Sequence, residues 1–397
     1  MTALARCVGD VQQFLENAWT AAPLHRPAAE TGGFADLLSL DDVDHILATT
    51  SPRLPSFRLV RDGQPVEPGR YTRTARLGGR SVSGVADPGR VFEEFRQGAT
   101  MVLQGLQRTW EPLARFCREL ELELTHPVQA NAYITPPGSQ GLAVHYDTHD
   151  VFVLQTAGHK EWAVFEPVLE HPLASHPWQA GSATPEEPCL EVDLQAGDML
   201  YVPRGFLHSA RAQRDVSAHL TVGVLAQTWF DVLKEAMGEL ADEAWSRRAL
   251  PVGWAEDEQA LARELQERVA DVRGWLEKLD ATPVARRVAR RFWSSRPPLL
   301  TGQLGQVLSL DRLGDTSLVR RRPGTVCRLA VEDDHLTVLL GDRTLRMPAV
   351  LEPVVRRLAD AGEMHVGDLA DQLDEGSRLV LVRRLVREGL LEVLDGG

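Results

Sequence analysis

Apolar positions along the chain switch repeatedly between helical and strand spacing, and each switch marks an element or a boundary. Phe14, Leu15 and Trp19 give one apolar face before Pro23, and the run Leu37 to Val43 reads as a turn into a second helix capped by Ser39. Phe57 to Arg61 followed by Asp62-Gly63 predicts a short strand and a turn. From Val91 to Phe116 the apolar residues Val91, Phe95, Met101-Val102, Leu106, Trp110 and Leu113 keep helical periodicity, which predicts helices packed outside a β-rich core at about residues 120–225. Within that core Val144 to Gln155 is apolar and β-branched, as a buried strand is. Met199 to Val202 predicts a second short buried strand, set between the Gly197-Asp198 turn and a bend at Pro203 and Gly205.

Glu166 to Glu191 interrupts this core with a Pro-, His- and Ala-rich insertion containing His171, His176, Trp178 and Pro185. A loop this long in a compact domain is usually functional or mobile, and it is expected to overhang the pocket and contribute to substrate choice; its histidines are read as solvated. Beyond Val224 the period becomes helical again. Trp229, Val232, Leu233, Met237 and Leu240 repeat at helix spacing, as do Leu261, Leu265, Val269, Val272 and Leu276, with Leu250 to Trp254 as the breaker. Such an apolar face must be buried, either on a second copy of the chain or on its own core. Arg296-Pro297-Pro298 reads as a boundary. After it come strands near Cys327–Val331, Leu336–Leu340 and Arg343–Met347, three helices near Ala349–Ala361, Val366–Leu373 and Ser377–Glu388, and a last strand at Leu390–Leu394. That order suggests a winged-helix-like module. The predicted organisation is therefore α+β in three parts: 1–226, 227–298 and 299–397.

Composition narrows the functional classes. A net charge of −13 over 397 residues argues against general nucleic-acid binding, which needs a basic footprint, and is weakly compatible with a cationic protein partner. The C-terminal module could suggest DNA binding, but residues 349–397 hold six Arg or Lys against ten Asp or Glu, a net of −4. The triplet Arg320-Arg321-Arg322 stands as an isolated basic cluster. Cys7, Cys117, Cys189 and Cys327 are scattered without a CxxC pair and are read as reduced thiols. With no signal-peptide core and no run of membrane-spanning length, the expected location is cytoplasmic.

The chemistry concentrates at His145-Tyr146-Asp147 and at His208. A His-x-Asp pair and a distant His form the ligand set of the two-His, one-carboxylate facial triad, which holds Fe(II) on one side and leaves the rest open. In a strand-like setting His145 and Asp147 point to one face. Lys160 and Trp162 share a face on the following strand, and an inward lysine needs an anion. Upstream, Asn131 and Tyr133 share a face of another strand.

The run Asn131-Ala132-Tyr133-Ile134-Thr135-Pro136-Pro137-Gly138-Ser139-Gln140-Gly141, then His145-Tyr146-Asp147, then Gly158-x-Lys160-x-Trp162, resembles the Jumonji-C ribosomal oxygenases. The resemblance is specific over residues 128–224 and looser elsewhere. It implies a cupin-type double-stranded β-helix core with a helical block and a winged-helix-like C-terminal domain. It further implies an Fe(II)- and 2-oxoglutarate-dependent protein hydroxylase. On that resemblance His145, Asp147 and His208 bind iron and Lys160 pairs with the distal carboxylate of 2-oxoglutarate. Asn131, Tyr133 and Thr221 line the co-substrate pocket. Tyr133 and Thr221 can each donate a hydroxyl hydrogen bond to a carboxylate. Relatives carry a small polar residue where this chain has Gly223.

The implied substrate is a His or Arg side chain of a ribosomal or other translation-related protein, with a homodimer formed through the helical block. The alternatives are a hydroxylase of small molecules or peptide natural products, an N-methyl-lysine demethylase, and a non-enzymatic cupin scaffold. The scaffold has no use for the carboxylate-binding set of Lys160, Tyr133 and Thr221.

Overall fold

The computed structural model describes residues 1–139, 143–211 and 215–394. Gln140 and Gly141 of the quoted motif lie outside the described residues. The chain divides into two compact units, Met1–Ala226 and Gln227–Gly397.

The first unit holds strands β1 (Leu24–Arg26), β2 (Phe57–Arg61), β3 (Gln64–Pro65), β4 (Thr72–Leu77), β5 (Arg80–Ala86), β6 (Thr100–Leu103), β7 (Val128–Thr135), β8 (Asp150–Ala157), β9 (His159–Pro167), β10 (Leu190–Gln195), β11 (Met199–Val202), β12 (Phe206–Arg211) and β13 (Ser217–Val224). Its helices are α1 (Ala3–Val8), α2 (Val11–Asn17), α3 (Ala28–Thr31), α4 (Leu40–Thr49), α5 (Pro88–Arg96) and α6 (Glu111–Leu124). An eight-stranded antiparallel sheet runs in the order β1-β11-β8-β13-β7-β6-β2-β3, and β10-β9-β12 form a second sheet.

Strand alternation decides what each face of the large sheet meets. On β7, Val128, Ala130, Ala132 and Ile134 join the main core with Leu113, Phe116, Leu120 and Leu124 of the amphipathic α6. On β8 the other face carries Val151 and Val153, which pack with Trp162 and Val164 of β9 and Leu200, Val202 and Phe206. The inner faces of the two sheets thus share a small apolar core, and the polar positions of β7 and β13 open onto the same space. Ser39 caps α4 in a reciprocal capping box with Asp42, as its position before the apolar run predicts.

Three expectations need correction here. Val91 to Phe116 is not continuously helical, because Thr100–Leu103 is a fully buried strand between α5 and α6. A run of three apolar residues fits either period, and pairing with β2 and β7 decides it. The β core therefore starts well before residue 120, with β1, β2 and β6 all in the large sheet. Finally, the strand read from Val144 begins only at Asp150. His145 forms an isolated bridge to His208, and Asp147 lies in the connecting loop.

The second unit begins with α7 (Trp229–Met237), α8 (Glu258–Leu276) and α9 (Ala281–Ser294). It continues with α10 (Gln303–Ser309), β14 (Leu318–Arg321), β15 (Arg328–Glu332), β16 (His335–Leu339), β17 (Thr344–Pro348), α11 (Glu352–Asp360), β18 (Glu363–His365), α12 (Glu375–Arg387) and β19 (Leu391–Val393). The sheets are β18-β14-β19 and β15-β16-β17. Strand β14 and helix α10 had no clear periodic signal, and the helix expected at Val366–Leu373 is a short 3-10 turn at Val366–Leu369. The arginine triplet is not a free basic cluster. Arg320 pairs with Glu392 at 2.7 Å, Arg321 donates to the Ala359 and Thr325 carbonyls, and Arg322 is buried against the Thr301 carbonyl at 2.7 Å. Among the described residues no helix is long and apolar enough to cross a membrane.

Candidate metal centre and its cavity

Two short segments meet beside the space between the sheets: residues 143–149, leading into β8, and residues 203–208, leading into β12. A reciprocal pair of backbone bonds stitches them together, His145 N–H to the His208 carbonyl at 3.2 Å and His208 N–H to the His145 carbonyl at 2.8 Å. Gly205 N–H adds a third to the Asp147 carbonyl at 3.0 Å. Fully buried Asp150 braces the join, its Oδ1 accepting from the Tyr201 hydroxyl at 3.1 Å and from Arg204 N–H at 3.3 Å. Burial pushes the Asp150 carboxyl above its ordinary range, against the pull of Arg204.

His145, Asp147 and His208 form a cluster whose ligand atoms all lie within 4.8 Å of one another. Nε2 of His208 is 3.7 Å from Asp147 Oδ2, and the two imidazole centroids are 4.4 Å apart. Each Nδ1 faces a carbonyl, His145 at 2.7 Å from Ala143 O and His208 at 3.1 Å from Phe206 O. A carbonyl only accepts, so this pairing assigns the proton to Nδ1 and leaves each Nε2 lone pair free for a cation. Burial, and then the neighbouring His145, push His208 down to about 4, which keeps its imidazole neutral as a ligand must be. Two imidazoles and a carboxyl group facing a cavity suit Fe(II).

The cavity they border has a volume of about 290 Å³. Alternation on β9 turns Lys160 into it beside Trp162. Lys160 is 2% exposed, and its hydrogen-bond partner among the described residues is the Thr135 hydroxyl at 3.3 Å. Burial pushes its ammonium down to about 8. Tyr133 and Thr221 also line the cavity. Burial, with Asp147 nearby, raises the Tyr133 phenol, so it stays a donor. Asn131 is set apart: it is not in the lining, and its Oδ1 accepts from Gly105 N–H at 3.0 Å, which ties it to a loop.

Two ionisable side chains, His219 and Arg58, join the expected ones in the lining. His219 lies two positions before Thr221 on β13, so strand alternation alone could have found it. Its ring stacks on Tyr133 at 5.2 Å and 3° and meets Trp162 edge-on at 5.5 Å. Burial and Lys160 hold it well below the ordinary histidine range. Arg58 reaches the cavity from β2, which sequence reading had left outside the core.

Residues 105–232 match the model of the JmjC domain. Over those residues the chain is similar to the JmjC domain. Ribosomal oxygenase 1 of Gallus gallus is 33% identical over 230 residues, covering 57% of this chain and 37% of that protein. The bifunctional lysine-specific demethylase and histidyl-hydroxylase NO66 of Dictyostelium discoideum is 31% identical over 281 residues, covering 65% of this chain and 54% of that protein. The chain thus spans about half or less of these curated relatives. The structure of YcfD, a ribosomal oxygenase from Escherichia coli, in complex with cobalt and 2-oxoglutarate, superposes with a TM-score of 0.53. It is 18% identical and covers 97% of this chain and 98% of that one, which shows a shared fold. The likeness in fold therefore reaches beyond the residues matched by the JmjC model.

Proposed function

We propose that this protein is an Fe(II)- and 2-oxoglutarate-dependent hydroxylase acting on a His or Arg side chain of a ribosomal or translation-related protein. The observation that carries the reading is one cavity bordered by both a two-imidazole, one-carboxylate cluster and a buried ammonium. Relatives named as ribosomal oxygenases support the substrate class. His145, Asp147 and His208 would hold the iron, which together with 2-oxoglutarate would supply the oxidising chemistry. The chain's own share is positioning. Lys160 neutralises the distal carboxylate, and the hydroxyls of Tyr133 and Thr221 donate to the same ligand. Trp162, Val151, Val153 and Val202 form apolar walls that limit water. No side chain is needed as a general base.

Intact-mass spectrometry of ribosomal proteins from cells with and without this gene tests the reading. One protein should gain a single oxygen, and cells carrying only Asp147→Ala should lack it. No shift on any of them would favour the small-molecule or peptide hydroxylase instead.

Two further assignments belong to this reading. Residues 227–298 form the contact of a homodimer, supported by Trp229 at 80% exposure with Phe230 and Leu233 beside it on α7, and by exposed Leu265 and Val269 on α8. Residues 299–397 act as a winged-helix-like, protein-binding module in a cytoplasmic enzyme, supported by the acidic balance of residues 349–397 and by the engaged arginines of β14.

A further inference from the structure

The insertion between β9 and β10 touches both segments that carry the candidate metal ligands. Its first residues lie against the Pro203–Gly205 bend. Val168 N–H donates to the Gly205 carbonyl at 3.3 Å, and Gly205, at φ +88°, is so close to the insertion that a Cβ there would fall 2.1 Å from Leu169 O and 2.9 Å from Pro172 Cδ. The same Gly205 holds the Asp147 carbonyl from its other side. Further along, the insertion reaches the residue between the two upstream ligands. The Tyr146 hydroxyl donates to the His176 carbonyl at 3.0 Å, and the Trp178 ring meets the Tyr146 ring edge-on at 5.2 Å and 70°. A local turn, His176 N–H to Leu173 O at 2.8 Å, fixes the carbonyl that Tyr146 reaches. Tyr146 is 9% exposed although it sits in a loop.

We propose that residues 168–178 act as a strap that positions the metal ligands, with Trp178 and Tyr146 as its latch. His145 and Asp147 flank Tyr146 in the chain. Holding the tyrosine ring at its two ends, hydroxyl on His176 and face on Trp178, fixes the peptide from which both ligands project. The base of the strap fixes the bend that leads to His208. Neither Trp178 nor Tyr146 belongs to the ligand cluster, so their effect passes through the backbone. Groups behind a ligand typically change metal affinity by ~10- to 100-fold when removed. The inference rests on the metal assignment proposed above and names the positioning residues for it.

The test uses the full chain and titrates Co(II) in the presence of 2-oxoglutarate, following the visible absorption of bound cobalt, alongside thermal melting without metal. Trp178→Ala should lower Co(II) affinity about tenfold or more while the metal-free melting midpoint stays within a few degrees. Trp178→Phe, which keeps an edge contact, should recover most of the affinity, and Tyr146→Phe should show a smaller loss. Unchanged affinity in Trp178→Ala overturns the strap, as does a loss of affinity that only follows a loss of fold in all three variants. Failure of the metal assignment reads differently, because His145→Ala would then also leave Co(II) binding intact.

Discussion

Replacing Lys160 with Met should stabilise the ligand-free protein while destroying its response to 2-oxoglutarate. An ammonium moved from an ordinary pKa of 10.5 to about 8 by burial alone carries a penalty of roughly 3 kcal/mol at neutral pH, at ~1.36 kcal/mol per tenfold. The sign follows from proton uptake. As pH falls from 10.5, the unfolded chain binds this proton first, so the penalty grows and is complete below pH 8; it is relieved as pH rises from 8 through 10.5. Met has similar length and no charge, and the Thr135 hydroxyl left behind still has Thr100 at 3.2 Å. A gain of about 2–3 kcal/mol corresponds to ~4–12 °C in melting midpoint for a unit of this size. On the proposed assignment, removing the cation also leaves the co-substrate carboxylate buried and unmatched, at a cost of about 3–5 kcal/mol, or roughly two to nearly four orders of magnitude in affinity. Melting curves with Co(II), with and without 2-oxoglutarate, at pH 7 and pH 9.5 read both effects. Lys160→Met should melt above the wild type without co-substrate, by a margin that narrows at the higher pH, and should gain nothing when co-substrate is added. A variant that melts at or below the wild type at pH 7 and is still stabilised by 2-oxoglutarate would refute the reasoning.

Gly223→Ser should lower stability by about 1–3 kcal/mol through overpacking, because a Cβ there would fall 2.3 Å from His149 Cδ2. Urea midpoints measure it, and combining the change with His149→Ala should recover much of the loss. Sedimentation at micromolar concentration should give twice the 43.9 kDa chain mass, and Trp229→Glu should shift it to one chain. A chelator should remove bound metal without unfolding the protein, because backbone bonds already join the ligand segments. Circular dichroism before and after treatment decides that, and a lost strand signal would count against a preformed site.

How far the fold could be read depended on where burial made the pattern unambiguous. β7 alternates cleanly because one face meets α6 and the other the cavity, and β11 stood out between two turns. β6 did not, since Met101-Val102 sits within apolar neighbours at helical spacing and only its pairing with β2 and β7 gives it an extended form. β14 was hidden for a related reason. Two of its four residues are arginines, which look solvated in sequence but spend their charge on Glu392, Glu363 and carbonyls within the unit.

The candidate site was legible where a residue's chemistry has few other uses, and silent where packing assigns the role. His145, Asp147, His208 and Lys160 announce themselves because an inward lysine beside a His-x-Asp pair has little structural reason to exist. His219 carries the same functional group but reads as an ordinary strand histidine until β13 is paired with β7 and its ring lies flat on Tyr133. Asn131 misled for the converse reason: it shares the face of Tyr133, yet the Gly105 amide claims its side chain first. Alternation therefore tells which residues can reach a cavity, and competition for hydrogen bonds decides which do. Tyr146 takes this furthest. Read as the spacer of a ligand motif, it has no chemistry of its own; joined to His176 and Trp178, it ties the insertion to the ligands on either side of it.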